Sequence, residues 1–326
     1  MTNNYNTVLR KLDIGEDFDI LFRQAGDGFM QVEYGYEQRL HLPDSFRMLA
    51  VNERILNRNI AGLIETVPGL RTNMFHFDPE ALSVEALMEI IAEEEGGFRD
   101  VSTLNVQSRL IHLPIAFGDS QTKAAIEKYL GSLRADAPNC ENGSNLDYIA
   151  ACNGVTVGEA KQMILDVEWF NSGCGFWPGG GFFWPMDPRK ALVVPKYNPP
   201  RTWTPEGSVG IGGPCLFTYT TPAGGGYQLF GRTIPTFQFA MKHPQFKDNP
   251  CLYRNADRIK LHEVTEREID EIYAHVHDKT DYVYEVEQGE ISVKDYLNWL
   301  NSDEIVAETA AFKRRQAEGV AAAPKL

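Results

Sequence analysis

The chain has 326 residues, 43% hydrophobic and 23% charged, enough to bury a substantial core and to form two or three compact units. Its 45 acidic residues outnumber 31 basic ones, for a formal charge of -14, and no basic run is long enough to track a phosphate backbone. Nucleic acid is therefore set aside as a partner. The five cysteines (Cys140, Cys152, Cys174, Cys215, Cys251) are odd in number and widely spaced without a CxxC pair, which fits a reduced cytoplasmic protein with buried thiols better than a disulfide framework or zinc site. No run of about 18 apolar residues occurs, and the first residues lack a basic flank leading into an apolar stretch, so neither a membrane span nor export is expected.

In chain order, residues 20–25 and 29–34 read as strands joined by the Gly26-Asp27-Gly28 turn. Apolar positions at helical spacing run from Leu42 to about Asn59, and residues 62–66 and 71–77 give two more strands around Pro68-Gly69. A second helix opens at Ser83 and ends before Gly96-Gly97, and a strand follows at 109–115. This order predicts a ferredoxin-like or split β-α-β unit over 1–105. An α/β continuation over 106–165 carries helices near 121–133, 146–152 and 156–165. From Val167 the apolar period falls to about two, and 166–264 predicts a small closed β-barrel, since closure removes exposed edges. Thr265 with Glu268 makes a capping-box pattern, and 265–326 reads as a helical extension ending in a frayed tail. The fold class expected is α+β.

Residues 174–233 concentrate the chain's glycine: Gly179-Gly180-Gly181, Gly210-Ile211-Gly212-Gly213 and Gly224-Gly225-Gly226. None is followed by Lys-Ser or Lys-Thr, and none gives a GxGxxG opening a helix, so they fail as nucleotide loops. They read as turns and bulges whose backbone N–H groups, at Gly212 and Gly213 for example, suit an anion. Lys196, Arg201 and Arg232 lie among these glycines and prolines in an otherwise acidic chain, a setting for a carboxylate, carbamate or bicarbonate-like group, with surface salt bridging as the plain alternative. The seven histidines are scattered, and His275 with His277 diverge on a helix, so no metal site is expected. Asp119 is explained by a helix cap alone. Ala240-Met241-Lys242 resembles the core of a biotinylated lysine, but His243-Pro244 follows it instead of a carrier hairpin, and an ordinary loop is the expectation.

Longer motifs point to a family. The runs 196–204 (KYNPPRTWT), 208–213 (SVGIGG) and 225–233 (GGYQLFGRT) resemble the second half of the urea carboxylase carboxyltransferase region, the allophanate hydrolase subunit 1 family. The likeness extends to Arg23-Gln24-Ala25-Gly26-Asp27, Val67-Pro68-Gly69-Leu70-Arg71, Arg134-Ala135-Asp136-Ala137-Pro138 and Phe312-Lys313-Arg314-Arg315-Gln316, and so covers nearly the whole chain. Residues 207–211 and 228–233 also resemble the B subunit of 5-oxoprolinase, in a family that includes sporulation kinase inhibitors.

The resemblance implies a cyclophilin-like barrel and transfer of a carboxyl group from carboxybiotin to a urea nitrogen. It implies that biotin sits on a partner chain, with a biotin carboxylase, a carrier and an allophanate hydrolase subunit 2-like chain as partners. Segment 173–185, with Phe176, Trp177, Phe182 and Trp184, departs from the urea carboxylase pattern and extends the expected acceptors to other amide, guanidinium or ureido compounds. On this reading Lys196 and Arg201 stabilise charge, Asn198 and Gln228 orient the substrate, Arg232 binds an anion, and Glu206, or less directly Tyr197, accepts a proton. The other readings are a subunit of an ATP-dependent 5-oxoprolinase-type amide hydrolase and a noncatalytic kinase-inhibitor-like regulator.

Overall fold

In the sheet nearest the N-terminus, residues 8–13, 29–33 and 72–77 alternate between more and less buried positions, while Ile20, Leu21 and Phe22 are all buried. The computed structural model describes residues 7–15, 19–35, 41–98 and 100–326. Strands β1 (Val8–Asp13), β2 (Asp19–Gln24) and β3 (Phe29–Glu33) form an antiparallel meander. Helix α1 (Leu42–Asn57) carries a proline in its first turn, where the missing N–H leaves no intrahelical bond unmade. Strands β4 (Leu63–Pro68) and β5 (Thr72–Phe77) then add to the sheet in the order β1-β2-β3-β5-β4. Because β5 lies between β3 and β4, the β3-α1-β4 crossover is a split β-α-β arrangement, as expected. Helix α2 (Val84–Gly96) is capped by Ser83, whose Oγ accepts from the Ala86 N–H at 3.2 Å. Phe22, Met30, Val32, Phe46, Phe75, Leu87 and Ile91 are buried between helices and sheet.

The place beside β3 that a final strand of such a unit would take is filled by β2. The strand expected there, residues 109–115, belongs elsewhere. After the short β6 (Asn105–Gln107), β7 (Leu110–Phe117) enters the barrel, pairing parallel with β15 (Arg258–Glu263) and antiparallel with β14 (Gln228–Thr233). Between them come α3 (Ser120–Ser132), α4 (Asn145–Cys152), α5 (Val157–Asp166), β8 (Trp169–Cys174), β9 (Gly181–Pro185), β10 (Arg201–Thr204), β11 (Ser208–Gly212), β12 (Cys215–Thr218) and β13 (Ala223–Gly225). The order β14-β11-β12-β9-β8-β15-β7, closed by the β14–β7 pairing, makes a seven-stranded barrel. β10 and β13 form a separate ribbon.

Strand parity sorts the barrel's side chains. Ile111, Leu113, Ile115, Trp169, Phe183, Val209, Ile211, Leu216, Ile259 and Leu261 form the buried interior. Neighbours on the other parity, Phe182 on β9 and Phe217 on β12, belong to a second cluster with Tyr219, Leu229 and Tyr227 on the barrel's outer wall. Helix α6 (Glu266–Ala274) opens with the expected Thr265/Glu268 capping box, and β16 (Glu285–Glu287) adds to β7. The chain continues through β17 (Glu290–Ser292), which pairs with β6, then α7 (Val293–Leu300) and α8 (Asp303–Ala322). Arg315 of α8 donates from Nε to the Gly154 carbonyl at 2.6 Å and pairs with Glu159 at 2.9 Å. Contacts divide the chain into two compact units: Met1–Gln107 with Glu290–Trp299, and Ser108–Gly289 with Leu300–Leu326. No described helix is long and apolar enough to cross a membrane.

Candidate functional site

The outer-wall cluster encloses a cavity of about 150 Å³ lined by Phe176, Phe182, Phe217, Tyr219, Tyr227 and Lys196, with Gly225 and Gly226 at its edge. Its rings meet at angles: Phe217 lies 5.5 Å from Tyr219 and 6.2 Å from Tyr227, both edge to face, and Phe176 lies 6.1 Å from Phe217. Phe176 stands on the loop between β8 and β9 with φ at 63° and is 81% exposed, so this large apolar ring is held at the cavity mouth. A neighbouring cavity of about 640 Å³, lined by Trp177, Cys251 and Arg254 among others, shares Phe176 as a wall. Of the four rings singled out in 173–185, Phe176 and Phe182 line the smaller cavity. Trp177 and Trp184 instead spend their indole N–H groups on Thr221 Oγ1 and Ser172 Oγ.

Besides the expected turns and bulges, as at Gly213 (φ 58°) and at the register shift between Val209 and Gly210, glycine has a second job here. Gly212 lies within β11, and a Cβ there would stand 2.4 Å from the Tyr227 ring; one at Gly225, in β13, would stand 2.2 Å from Tyr219 Oη. These positions are bare because the cavity's rings occupy the space a side chain would need. Gly213 has φ at +58°, and its N–H donates to the Val194 carbonyl at 2.8 Å.

The predicted site residues fall into two groups. In the first, Lys196 is exposed, with Nζ 5.2 Å from the Tyr227 ring centroid. Arg201 is buried, and its donors are committed: Nη1 to the Tyr227 carbonyl at 2.7 Å, Nε to Thr204 Oγ1 at 3.2 Å and Nη2 to Tyr219 Oη at 3.4 Å. Its guanidinium stacks 4.4 Å from the Tyr197 ring, while the Tyr197 hydroxyl donates to Asn145 Oδ1 at 2.6 Å. Burial lifts that phenol far above its usual range. Gln228 is fully buried; it accepts from Asn139 Nδ2 at 2.9 Å and donates to the Pro195 carbonyl at 2.8 Å. Asn198 is exposed, and its carbonyl accepts from Arg134 at 3.0 Å.

The second group gathers around Arg232. Its Nη2 pairs with Asp270, its Nε lies 3.7 Å from Asp119, and its guanidinium sits 5.0 Å over the Tyr273 ring. Asp119 also caps α3, accepting from the Gln121 and Thr122 N–H groups. Glu206 faces His277 Nε2 at 3.4 Å; burial pushes its carboxyl up, and the imidazole draws it back. None of these residues lines the aromatic cavity. Gln228 and Arg232 sit at opposite ends of β14, about 13 Å apart at roughly 3.3 Å per residue.

Tyr219, Tyr227, Phe217 and His277 are residues that motif reasoning did not pick out. Of these, Tyr227 stands directly after Gly224-Gly225-Gly226, while Phe217 and Tyr219 adjoin no glycine in sequence. The cysteines are free, and burial pushes the Cys174 thiol up to about 11 and the Cys215 thiol up to about 12, which leaves neither a ready nucleophile. His275 pairs with Asp281 at 2.7 Å. Among the described residues one cluster has metal-ligand spacing: His112, Glu285 and Glu287 on β7 and β16, with ligand atoms within 4.8 Å of one another. Lys242 lies in an irregular segment outside the strands.

Residues 20–247 match the family model for the carboxyltransferase domain, subdomain C and D. The urea amidolyase of Lachancea kluyveri is 30% identical over 298 residues, 91% of this chain and 16% of that protein. The crystal structure of K. lactis urea amidolyase superposes with a TM-score of 0.84 at 30% identity, covering 98% of this chain and 20% of the other. The B subunit of 5-oxoprolinase from Escherichia coli O157:H7 is a more distant relative, 24% identical over 69% of this chain and 88% of its own length. The chain thus spans only a small part of the amidolyases it matches. The fold, the closed barrel and the match across 20–247 together make this chain a member of the carboxyltransferase subdomain C and D family, homologous to that part of urea amidolyase.

Proposed function

We propose that this chain is one half of a biotin-dependent carboxyltransferase of the urea carboxylase type, which places a carboxyl group on a nitrogen of urea or of a related amide or guanidinium compound. The observation that carries this reading is the aromatic cavity with the Lys196 ammonium at its rim and the Arg201 guanidinium buried behind it. Flat faces with a cationic donor at the edge suit a planar ureido group, so the lining fits biotin presented by a carrier chain. When bound, biotin supplies the carboxyl group.

The chain's own residues then divide the work. Lys196 Nζ meets the oxygen on which negative charge develops, and a preorganised donor of this kind is worth about 10²–10³ in rate. Arg201 acts as a positioning residue that fixes Tyr197, Tyr219 and Tyr227 while adding positive potential. Gln228 and Asn198 brace the 195–201 loop, Gly212 leaves room for the Tyr227 ring of the wall, and Gly213 makes the turn that follows β11. No carboxylate lies among the described residues lining the cavity. The acceptor for the amide proton is therefore assigned to the complementary half, an allophanate hydrolase subunit 2-like chain, with biotin carboxylase and carrier on further chains. Glu206 and Arg232, at the far end of β14, are assigned to holding the barrel against α6.

The test is reconstitution. The purified chain alone should show no biotin-dependent transfer, and adding the complementary half, carrier and biotin carboxylase should restore it with one of urea, guanidine or a small amide. Lys196→Ala should lower transfer about 10²–10³-fold while carboxylation of biotin continues. Full transfer by the single chain, or by the folded variant, refutes the reading. A second reading, a subunit of an ATP-dependent amide hydrolase, draws on the 5-oxoprolinase relative, which this chain matches over 88% of its length. Substrate-dependent ATP turnover without biotin would select it.

A further inference from the structure

The N-terminal unit contains a polar cavity that plays no part in that proposal. It measures about 470 Å³ and is lined by Leu12, Asp13, Arg47, Ala92, Glu95 and Gly96 with the neighbouring backbone of 14–15. Two of its residues form a buried ion pair: Arg47 Nε donates to Glu95 Oε2 at 2.8 Å, with side-chain exposures of 3% and 0%. Arg47 Nη2 donates to the Glu95 carbonyl at 3.3 Å, and the Tyr34 hydroxyl takes the other carboxylate oxygen, Oε1, at 2.5 Å. Both carboxylate oxygens are thereby occupied. Arg47 Nη1 is buried and has no partner among the described residues.

A guanidinium N–H without an acceptor is costly, because the group has given up water and received nothing in return. It persists where an ion or ligand supplies the acceptor. Arg47 is the one cationic side chain among the described residues lining the cavity, and Glu95, whose oxygens are taken by Arg47 Nε and the Tyr34 hydroxyl, leaves Nη1 to another acceptor. Asp13 on the cavity wall sets a limit on the charge of that acceptor, since a second negative charge on the ligand would face its carboxylate. Its Oδ1 already accepts from the Gly15 N–H at 2.8 Å, which keeps the carboxylate in place.

We infer that this cavity is a binding site for a small monocarboxylate, whose oxygens accept from Arg47 Nη1. With Nε and Nη2 taken by Glu95, Nη1 offers a charge-assisted N–H donor, the kind of donor that holds a carboxylate oxygen. The site lies on the five-stranded-sheet unit and stands whether or not the transfer reading does.

Acetate is the probe, with chloride at equal ionic strength as the control. Calorimetric titration of the full chain should give saturable one-to-one binding, with Kd of about 0.1–10 mM for so few atoms. Ala92→Phe fills the cavity while leaving the Arg47–Glu95 pair intact, and should weaken acetate binding at least tenfold with an unchanged unfolding midpoint. Arg47→Met should abolish it, but leaves Glu95 unpaired, so Ala92→Phe decides if that variant fails to fold. Absence of saturable binding in the wild type would leave Nη1 to water and overturn the inference, as would acetate binding unaffected by Ala92→Phe. Glu16 and Asp17 follow Gly15 in sequence. Acetate binding that arises only in the Glu16→Gln, Asp17→Asn variant would give Nη1 to the chain's own carboxylate and overturn the inference equally.

Discussion

Replacing Gly212 with alanine tests whether glycine is there to seat the Tyr227 ring. The added Cβ would lie 2.4 Å from Cδ1 and 2.5 Å from Cε1 of that ring, so the ring must retreat by about 1 Å to reach ordinary contact near 3.4 Å. Its retreat is opposed by Phe217, packed edge to face at 6.2 Å. Overpacking of this kind costs about 1–3 kcal/mol, which for a domain of 150–250 residues lowers Tm by roughly 2–4 °C per kcal/mol. A double-mutant cycle isolates the cause. In a Tyr227→Ala background the ring is gone, and Gly212→Ala should cost no more than about 0.5 kcal/mol. Urea unfolding of the four proteins supplies all the values. Equal cost of Gly212→Ala in both backgrounds would show that the ring is not what excludes a side chain, and the account of the glycine clusters would fall with it.

Arg109 and Asp257 form a two-point pair at 2.6 and 2.8 Å, with side-chain exposures of 13% and 3%. Arg109→Met should cost about 3–5 kcal/mol by stranding the carboxylate, and adding Asp257→Asn should recover part of it in urea midpoints. Glu159 is held down to about 2 by the Thr156 N–H, then by Arg315 and the Thr156 side chain. Its folded pKa lies below the ordinary 4.5, so its stabilisation is present above that pH and is lost as pH falls through about 2. Glu159→Gln should flatten the acid limb of stability between those values, and an unchanged limb would contradict the assignment. Co-expression with a biotin ligase should leave the intact mass of this chain unmodified, whereas a biotinyl adduct on Lys242 would contradict its reading as an ordinary loop residue.

Short-range chemistry decided much of this protein before any tertiary contact. Ser83, Thr156 and Thr265 each cap the helix that their sequence context marks, because a cap needs only an oxygen three residues before a waiting N–H. The alternation along 29–33 and 72–77 set those strands and their buried faces for the same local reason. The motifs of 196–233 were enough to mark the family and the neighbourhood of the site. They did not give the direction in which each side chain points.

That direction was settled by strand pairing across long stretches of chain. β7 closes the barrel against β14 and β15, more than a hundred residues further on, although its local context continues the first unit. Register on β14 then turns Gln228 inward to Asn139 and carries Arg232 to the far end, away from Lys196. Arg201, which the sequence left open between a pocket and the surface, is covered once β10 pairs with β13 and brings Tyr219 and Tyr227 against it. A glycine leaves no mark in sequence of the ring it makes room for, since the ring arrives from another strand; Gly212 and Tyr227 meet because β11 and β14 do.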